Sequence, residues 1–194
     1  MTFGLQDFAI LKDLFSDDVV ISLKDPGYAN KTKTAELSET DSQNKTNYSI
    51  TINGIPDKTI IVKTDRFPVP KFRNSNSECK RADFVIISCS GSQKWIIYIE
   101  LKKGKHASEK EIICQLRGSK CLVSYFKEIG REFWKIQDFL SRNHYKQRFV
   151  SIRKIGIPKR STRLSPKHGI HDSPEKMLKI SGGKTFYFGH LCEE

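Results

Sequence analysis

A single α/β domain is what this sequence predicts, on three observations. The chain has 194 residues, enough for one domain with a full core and short of what two require. Two apolar runs, Ala82 to Cys89 and Trp95 to Leu101, flank the short polar stretch Ser90-Gly91-Ser92-Gln93. Both runs are rich in β-branched and aromatic side chains and the gap is small and hydrophilic, so they predict a β-hairpin. Behind it, Ser108-Glu109-Lys110-Glu111 is a Ser-x-x-Glu capping box, which predicts the start of a helix.

Taken from the N-terminus, Met1-Thr2-Phe3-Gly4-Leu5 lacks the basic region and long apolar core of a secretory signal, so a cytoplasmic protein is expected. Leu5, Phe8, Ala9, Leu11 or Leu14, and Phe15 lie close to one helical stripe with Asp7 and Asp13 off it, which predicts a short amphipathic helix. Val19 to Leu23 reads as a strand ended by the turn signal Asp25-Pro26-Gly27. From Lys31 to Asn47 the chain is almost wholly polar; lacking a packing face, it is expected to form part of a polar loop spanning about residues 25–47. Tyr48 to Ile52 and Thr59 to Val62 predict two strands joined as a hairpin through Asn53-Gly54-Ile55-Pro56-Asp57. In Phe67-Pro68-Val69-Pro70 each proline removes a donor and restricts the residue before it. The segment is therefore an extended link leading Glu78 to Arg81 into the main hairpin.

Neither strand of that hairpin alternates strictly, so both of its faces are expected to be buried. With the turn centred between Gly91 and Ser92, Asp83 falls opposite Glu100. Side chains alternate along a strand, so Glu100 and Lys102 share a face, and the cross-strand partner Asp83 joins them. Two acids placed opposite one another beside Ile and Val destabilise a sheet unless something compensates. A divalent cation would compensate. The carboxylates of Asp83 and Glu100, with the backbone carbonyl of Leu101 and water, are hard ligands suited to Mg²⁺ or Mn²⁺, and a neighbouring ammonium can orient or deprotonate an attacking water.

Asp83, a strand and turn, then Glu100-Leu101-Lys102 closing the next strand: this order resembles the PD-(D/E)XK nuclease superfamily over the hairpin and the following helix. Ala82 stands where the name-giving proline would be. Glu78-Cys79-Lys80 also matches Glu-x-Lys, but only Glu100-Leu101-Lys102 ends a long apolar strand opposite an acid. The resemblance implies a restriction-endonuclease-like fold, a mixed central β-sheet flanked by helices. It also implies that Asp83 and Glu100 hold catalytic Mg²⁺, with Mn²⁺ as a substitute, and that Lys102 acts on the hydrolytic water. The implied activity is phosphodiester hydrolysis, with DNA ahead of RNA as substrate. RecB-like members place a site-lining Gln on the helix after the motif; Gln115 has that place here, and a solvent-facing Gln fits the pattern equally well.

The helix after the capping box has the core stripe Ile112, Leu116, Ser119, Val123 and Phe126. A further helix is expected from about Arg131 to Ser141, packing through Phe133, Ile136, Phe139 and Leu140. Arg148 to Ile157 alternates in part and predicts another strand of the sheet. From about residue 158 to 174 the chain is a basic loop, with Lys159, Arg160, Arg163, Lys167, His168 and His171 against Asp172, and with Pro158, Pro166 and Pro174 excluding regular structure. Met177 to Ile180, Ser181-Gly182-Gly183 and Thr185 to Phe188 predict a closing hairpin.

Lys and Arg number 34 against 22 Asp and Glu, a formal net charge of +12 that exceeds what solubility asks for and points to a polyanionic partner, nucleic acid ahead of an anionic membrane surface. Lys103, Lys105, Arg117, Lys120, Lys159, Arg160, Arg163 and Lys167 are the cations expected to grip its backbone, contributing affinity without base information. No apolar run is long enough to cross a bilayer. The five cysteines are odd in number and scattered without a Cys-x-x-Cys pair, which disfavours a zinc site from Cys114, Cys121 and His106. No Gly-rich phosphate loop accompanies the motif, so the chain would act on the substrate it is given, within a larger complex or as a homo-oligomer. The competing reading is a basic module that binds nucleic acid without cutting it, with Asp83, Glu100 and Lys102 as a structural charge triad. Indifference to Mg²⁺ and EDTA would mark such a binder.

Overall fold

The computed structural model describes residues 3–25, 27, 32–41, 46–89, 93–103, 108–154 and 170–192. In chain order the elements are helix α1 (Phe3–Leu14) and strands β1 (Thr32–Asp41), β2 (Thr46–Pro56), β3 (Thr59–Lys63), β4 (Phe84–Ser88) and β5 (Lys94–Lys103). Helix α2 (Glu109–Phe133) follows, then strands β6 (Tyr145–Lys154), β7 (Leu178–Ser181) and β8 (Thr185–Tyr187), and helix α3 (Phe188–Cys192).

The hairpin forms in the expected register, with Phe84 opposite Ile99, Ile86 opposite Ile97 and Ser88 opposite Trp95. It is the centre of a five-stranded mixed sheet, ordered β3-β4-β5-β6-β7. β3, β4 and β5 pair antiparallel, whereas β5, β6 and β7 run parallel. The parallel step from β5 to β6 needs a crossover long enough to return the chain, and α2 supplies it. Ser108 caps α2 by accepting the Glu111 N–H at 3.2 Å, as the capping box requires.

Both faces of the hairpin are buried, each against a different layer. Val85, Ile87, Ile96 and Tyr98 pack against Leu11 and Phe15, at and just past the end of α1, and against Ile112, Leu116, Val123 and Phe126 of α2. The alternate residues Phe84, Ile86, Ile97 and Ile99 pack instead against Leu37, Ile50 and Ile52 of a second, three-stranded mixed sheet, ordered β1-β2-β8. The two long helices therefore cover one face of the central sheet, and the second sheet covers most of the other. Among the described residues, no helix is long and apolar enough to cross a membrane.

Several expectations are corrected. Residues 32–41 are not loop but β1: Ala35 and Leu37 are buried between exposed Glu36 and Ser38, and β2 satisfies the backbone opposite them. Two apolar side chains at period two suffice once a partner strand exists. β2 and β3 are not a hairpin, because β2 pairs with β1 and β8 while β3 pairs with β4; the chain changes sheets across Asp57 and Lys58. Val19 to Leu23 makes only a single bridge, Val20 to Val62, and with Lys24 bridged to Thr34 the segment ties the two sheets together. No separate helix covers 131–141: α2 continues to Phe133, which is 78% exposed, and the chain then turns so that Phe139 packs on Gly130. The closing hairpin is likewise split, with β7 beside β6 and β8 beside β2. The expected strand at 148–157 starts earlier, at Tyr145. Of the basic loop, residues 158–169 lie outside the described residues, and Pro174–Lys176 is a 3-10 turn.

Candidate active site

Asp83 precedes the first residue of β4, and it is fixed from both sides. The Ala82 N–H donates to the Gln115 carbonyl at 2.9 Å and to the Ser119 hydroxyl at 2.8 Å, both on α2. The Asp83 carbonyl accepts the Thr64 N–H at 2.9 Å, while the Thr64 hydroxyl donates to the Ala82 carbonyl. Ser119 thus occupies a core position because its hydroxyl holds the chain next to the acid. This close approach depends on Gly118, where a Cβ would come within 1.7 Å of the Lys80 carbonyl oxygen.

One turn of pleat across the ladder, the Leu101 N–H donates to Asp83 Oδ2 at 2.6 Å. The register continues from Phe84 and Ile99 to place Asp83 beside Glu100, on the face toward α2. Glu100 is fully buried and ion-pairs through Oε1 with the Lys102 ammonium. Neither of its oxygens accepts a hydrogen bond of ordinary geometry. Gln115 stands over the same end of the hairpin on α2, with a buried, unpartnered Oε1.

The electrostatics follow from this burial. Desolvation, reinforced by the repulsion of Glu100 and Glu39, pushes the Asp83 carboxyl well above the usual carboxylate range. Burial pushes Glu100 up to about 7 against the pull of Lys102. Burial alone would lower the Lys102 ammonium, but Glu100, Asp83 and Glu39 together outweigh it and raise its pKa. Glu39, near the end of β1 in the same alternation as Ala35 and Leu37, is the acid that sequence reading missed. It lay inside a stretch read as loop, where period-two alternation was the only signal that it turns inward.

Asp83 and Glu100 share the Lys102 ammonium, and burial raises both carboxyls above the usual carboxylate range. The hard carboxylate oxygens of Asp83 and Glu100, buried side by side, fit a divalent cation in kind. Among the described residues, no set of three or more His, Cys, Asp or Glu is already arranged as a ligand cluster. Asp83 and Glu100 are the two side chains able to hold such an ion, and Leu101 meets Asp83 through its N–H.

The expected nucleic-acid contacts are placed unevenly. Lys103 is exposed at the end of β5. Lys120 lies with its ammonium 5.9 Å from the Phe149 ring centre. Arg117 gives its guanidinium fork to Glu175, at 2.6 and 2.9 Å, so it meets a phosphate only by exchanging that partner. Lys105, Lys159, Arg160, Arg163 and Lys167 lie outside the described residues, as do His106 and His168. All five cysteines are free thiols; Cys114 and Cys121 stand two helical turns apart on α2. No family model, no curated protein and no solved structure matches the chain.

Proposed function

We propose that the protein is a metal-dependent nuclease of the restriction-endonuclease-like kind, hydrolysing phosphodiester bonds of nucleic acid. One observation carries the reading. The hairpin register brings Asp83 and Glu100 together in buried surroundings beside the Lys102 ammonium. An arrangement serving stability alone has no reason to bury two carboxylates side by side, because replacing a buried ionic group by apolar residues is often neutral or stabilising.

Asp83 and Glu100 would hold Mg²⁺ or Mn²⁺. When bound, such an ion lowers the pKa of water and offsets charge developing on the phosphate. The remaining work belongs to the chain. Lys102, whose raised pKa keeps it an ammonium at neutral pH, donates hydrogen bonds and fixed charge to the attacking water or a phosphate oxygen instead of acting as a base. Gln115 offers a buried Oε1, an acceptor without a partner among the described residues, from the α2 side and orients the nucleophile. Ser119, Thr64 and the close packing at Gly118 hold Asp83 in place.

A second reading rests on the Lys102 to Glu100 ion pair, which is already made, and on the lack of a formed three-ligand cluster among the described residues. In it the triad is structural and the basic protein only binds. Incubating the protein with circular single-stranded DNA, circular duplex DNA and structured RNA, in Mg²⁺, Mn²⁺ or EDTA, separates the two. Cutting that needs metal and is lost in Asp83→Asn supports the nuclease; binding without cutting in every metal supports the module.

A further inference from the structure

The row that contains Asp83 and Glu100 does not stop at β5. In the parallel half of the sheet Glu100 lies beside Ser151 and Ser151 beside Lys179, while Lys102 lies beside Arg153 and Arg153 beside Ser181. Neighbours in register present their side chains on the same face, so these two rows run from the acids across β6 and β7 toward the sheet edge. Strands are spaced about 4.8 Å apart, which puts Ser151 about one strand and Lys179 about two strands from Glu100. The end of the rows opens into a cleft of about 240 Å³ lined by Glu109, Ser151, Arg153, Met177, Lys179 and Ser181.

The chemistry of the cleft is specific. Ser151 is 2% exposed in a strand whose neighbours are Val150 and Ile152, and among the described residues its hydroxyl has no hydrogen-bond partner. A buried hydroxyl without a partner is uncommon and calls for an acceptor that the protein itself does not supply. Two cations, Arg153 and Lys179, face the same space, with the Ser181 hydroxyl beside them. Glu109, also in the lining, pairs with Lys179 at 2.7 Å in a bridge exposed on both sides. Exposed pairs of this kind are weak and readily exchanged. The cleft is smaller than pockets that enclose whole cofactors or drug-sized ligands, so it suits a phosphate group on a chain passing over it. It also lies outside the carboxyl ends of parallel strands, where open α/β sheets commonly place ligands.

We infer that this cleft is a phosphate subsite, in which Ser151, Arg153 and Lys179 hold the phosphodiester next to the one positioned at Asp83 and Glu100. The inference rests on the nuclease reading for its substrate and deepens it: the nucleic-acid strand crosses the sheet from β4 toward β7, perpendicular to the strands. Glu109 then acts as a gate on affinity, since an arriving phosphate takes Lys179 from it. Ser151, Arg153 and Lys179 are positioning residues, not part of the chemistry.

The test measures binding of short single-stranded DNA, duplex DNA and RNA of one sequence in EDTA, across a salt series, for the parent and four variants. Arg153→Gln and Lys179→Gln should each lower the salt slope by about 0.7 to 0.9 for whichever nucleic acid binds, the increment of one phosphate contact. Ser151→Ala should weaken binding about tenfold, the loss of a hydrogen bond to a charged group, without lowering the melting temperature. Glu109→Gln should tighten binding, an outcome that a structural role for the Lys179 bridge does not produce, and as a surface change it stays readable if another variant fails to fold. Unchanged slopes together with unchanged affinity in Glu109→Gln would overturn the subsite, as would failure of all three probes to bind. Parallel cleavage assays in Mg²⁺ keep the two claims apart. Shifted slopes in a protein that never cuts retain the subsite and sink the nuclease; cutting with unshifted slopes does the reverse.

Discussion

Lys102 separates chemistry from packing at one side chain. If it serves the hydrolytic water, Lys102→Ala should stay folded and bind metal and nucleic acid with little change, yet cleave on the order of a hundredfold more slowly. A lysine that only neutralised its neighbours would leave a buried carboxylate uncompensated, at a cost of about 3–5 kcal/mol, and activity would fall only as the protein unfolded. Melting curves and cleavage on the same sample decide between these. Glu100 makes a second prediction, in pH. Its folded pKa, near 7, lies above the ordinary 4.5, so the folded state binds the proton more tightly than the unfolded chain does. Its contribution to stability is complete below about 4.5 and is lost as pH rises through about 7. The melting temperature in EDTA should therefore fall over that interval, the fall should shrink in Glu100→Gln, and saturating Mg²⁺ should remove it by favouring the ionised form. At this scale the site was largely legible: alternation and a single assumption about the turn were enough to pair Asp83 with Glu100. Glu39 was not, because its inward turn depends on a strand that exists only when β2 is beside it.

Helix α2 carries the next scale. It was readable at its start, where Ser108 accepts the Glu111 N–H, and along its stripe, where Ile112, Leu116, Ser119, Val123 and Phe126 are all buried. Its end was not, because Phe133 continues the helical spacing yet faces solvent; the chain leaves the helix through Trp134 and Lys135, the latter at φ 58°. Strand existence was also more legible than strand partnership. β2 and β3 are both rich in β-branched residues, and nothing local to Asp57 and Lys58 says that the chain is passing from one sheet to another. Partnership is decided by where distant apolar faces meet, here Ile52 on Phe186 in register and Ile61 on Ile86. The element-scale prediction is at Gly118. Alanine improves helix propensity by about 1 kcal/mol, but its methyl would have to displace the Lys80 backbone from a 1.7 Å approach. Overpacking of that kind typically costs about 1–3 kcal/mol and occasionally more, so Gly118→Ala should melt lower than the parent. It should also cleave more slowly, because the displaced segment carries Asp83.

For the whole molecule, the arrangement is a central mixed sheet with helices on one face and a second sheet on the other, and the candidate site lies where β1, the β4 and β5 hairpin, and α2 converge. On the nuclease reading, the formal charge of +12 would supply long-range attraction for a polyanion and the acids would set where a cation binds. Replacing Lys159, Arg160, Arg163 and Lys167 together by Ala should weaken binding and flatten its salt dependence by nearly one unit for each phosphate contact removed. Turnover at saturating substrate should survive, and an unchanged salt slope would show that these four cations do not face the nucleic acid. The central claim is that Asp83 and Glu100 form a divalent-cation site, and a titration of Mn²⁺ into the parent and Asp83→Asn, followed by electron paramagnetic resonance, tests it most directly. Binding by the parent should saturate and be lost in the variant; equal binding by both proteins, or none by the parent, would rule out a cation site at Asp83 and Glu100.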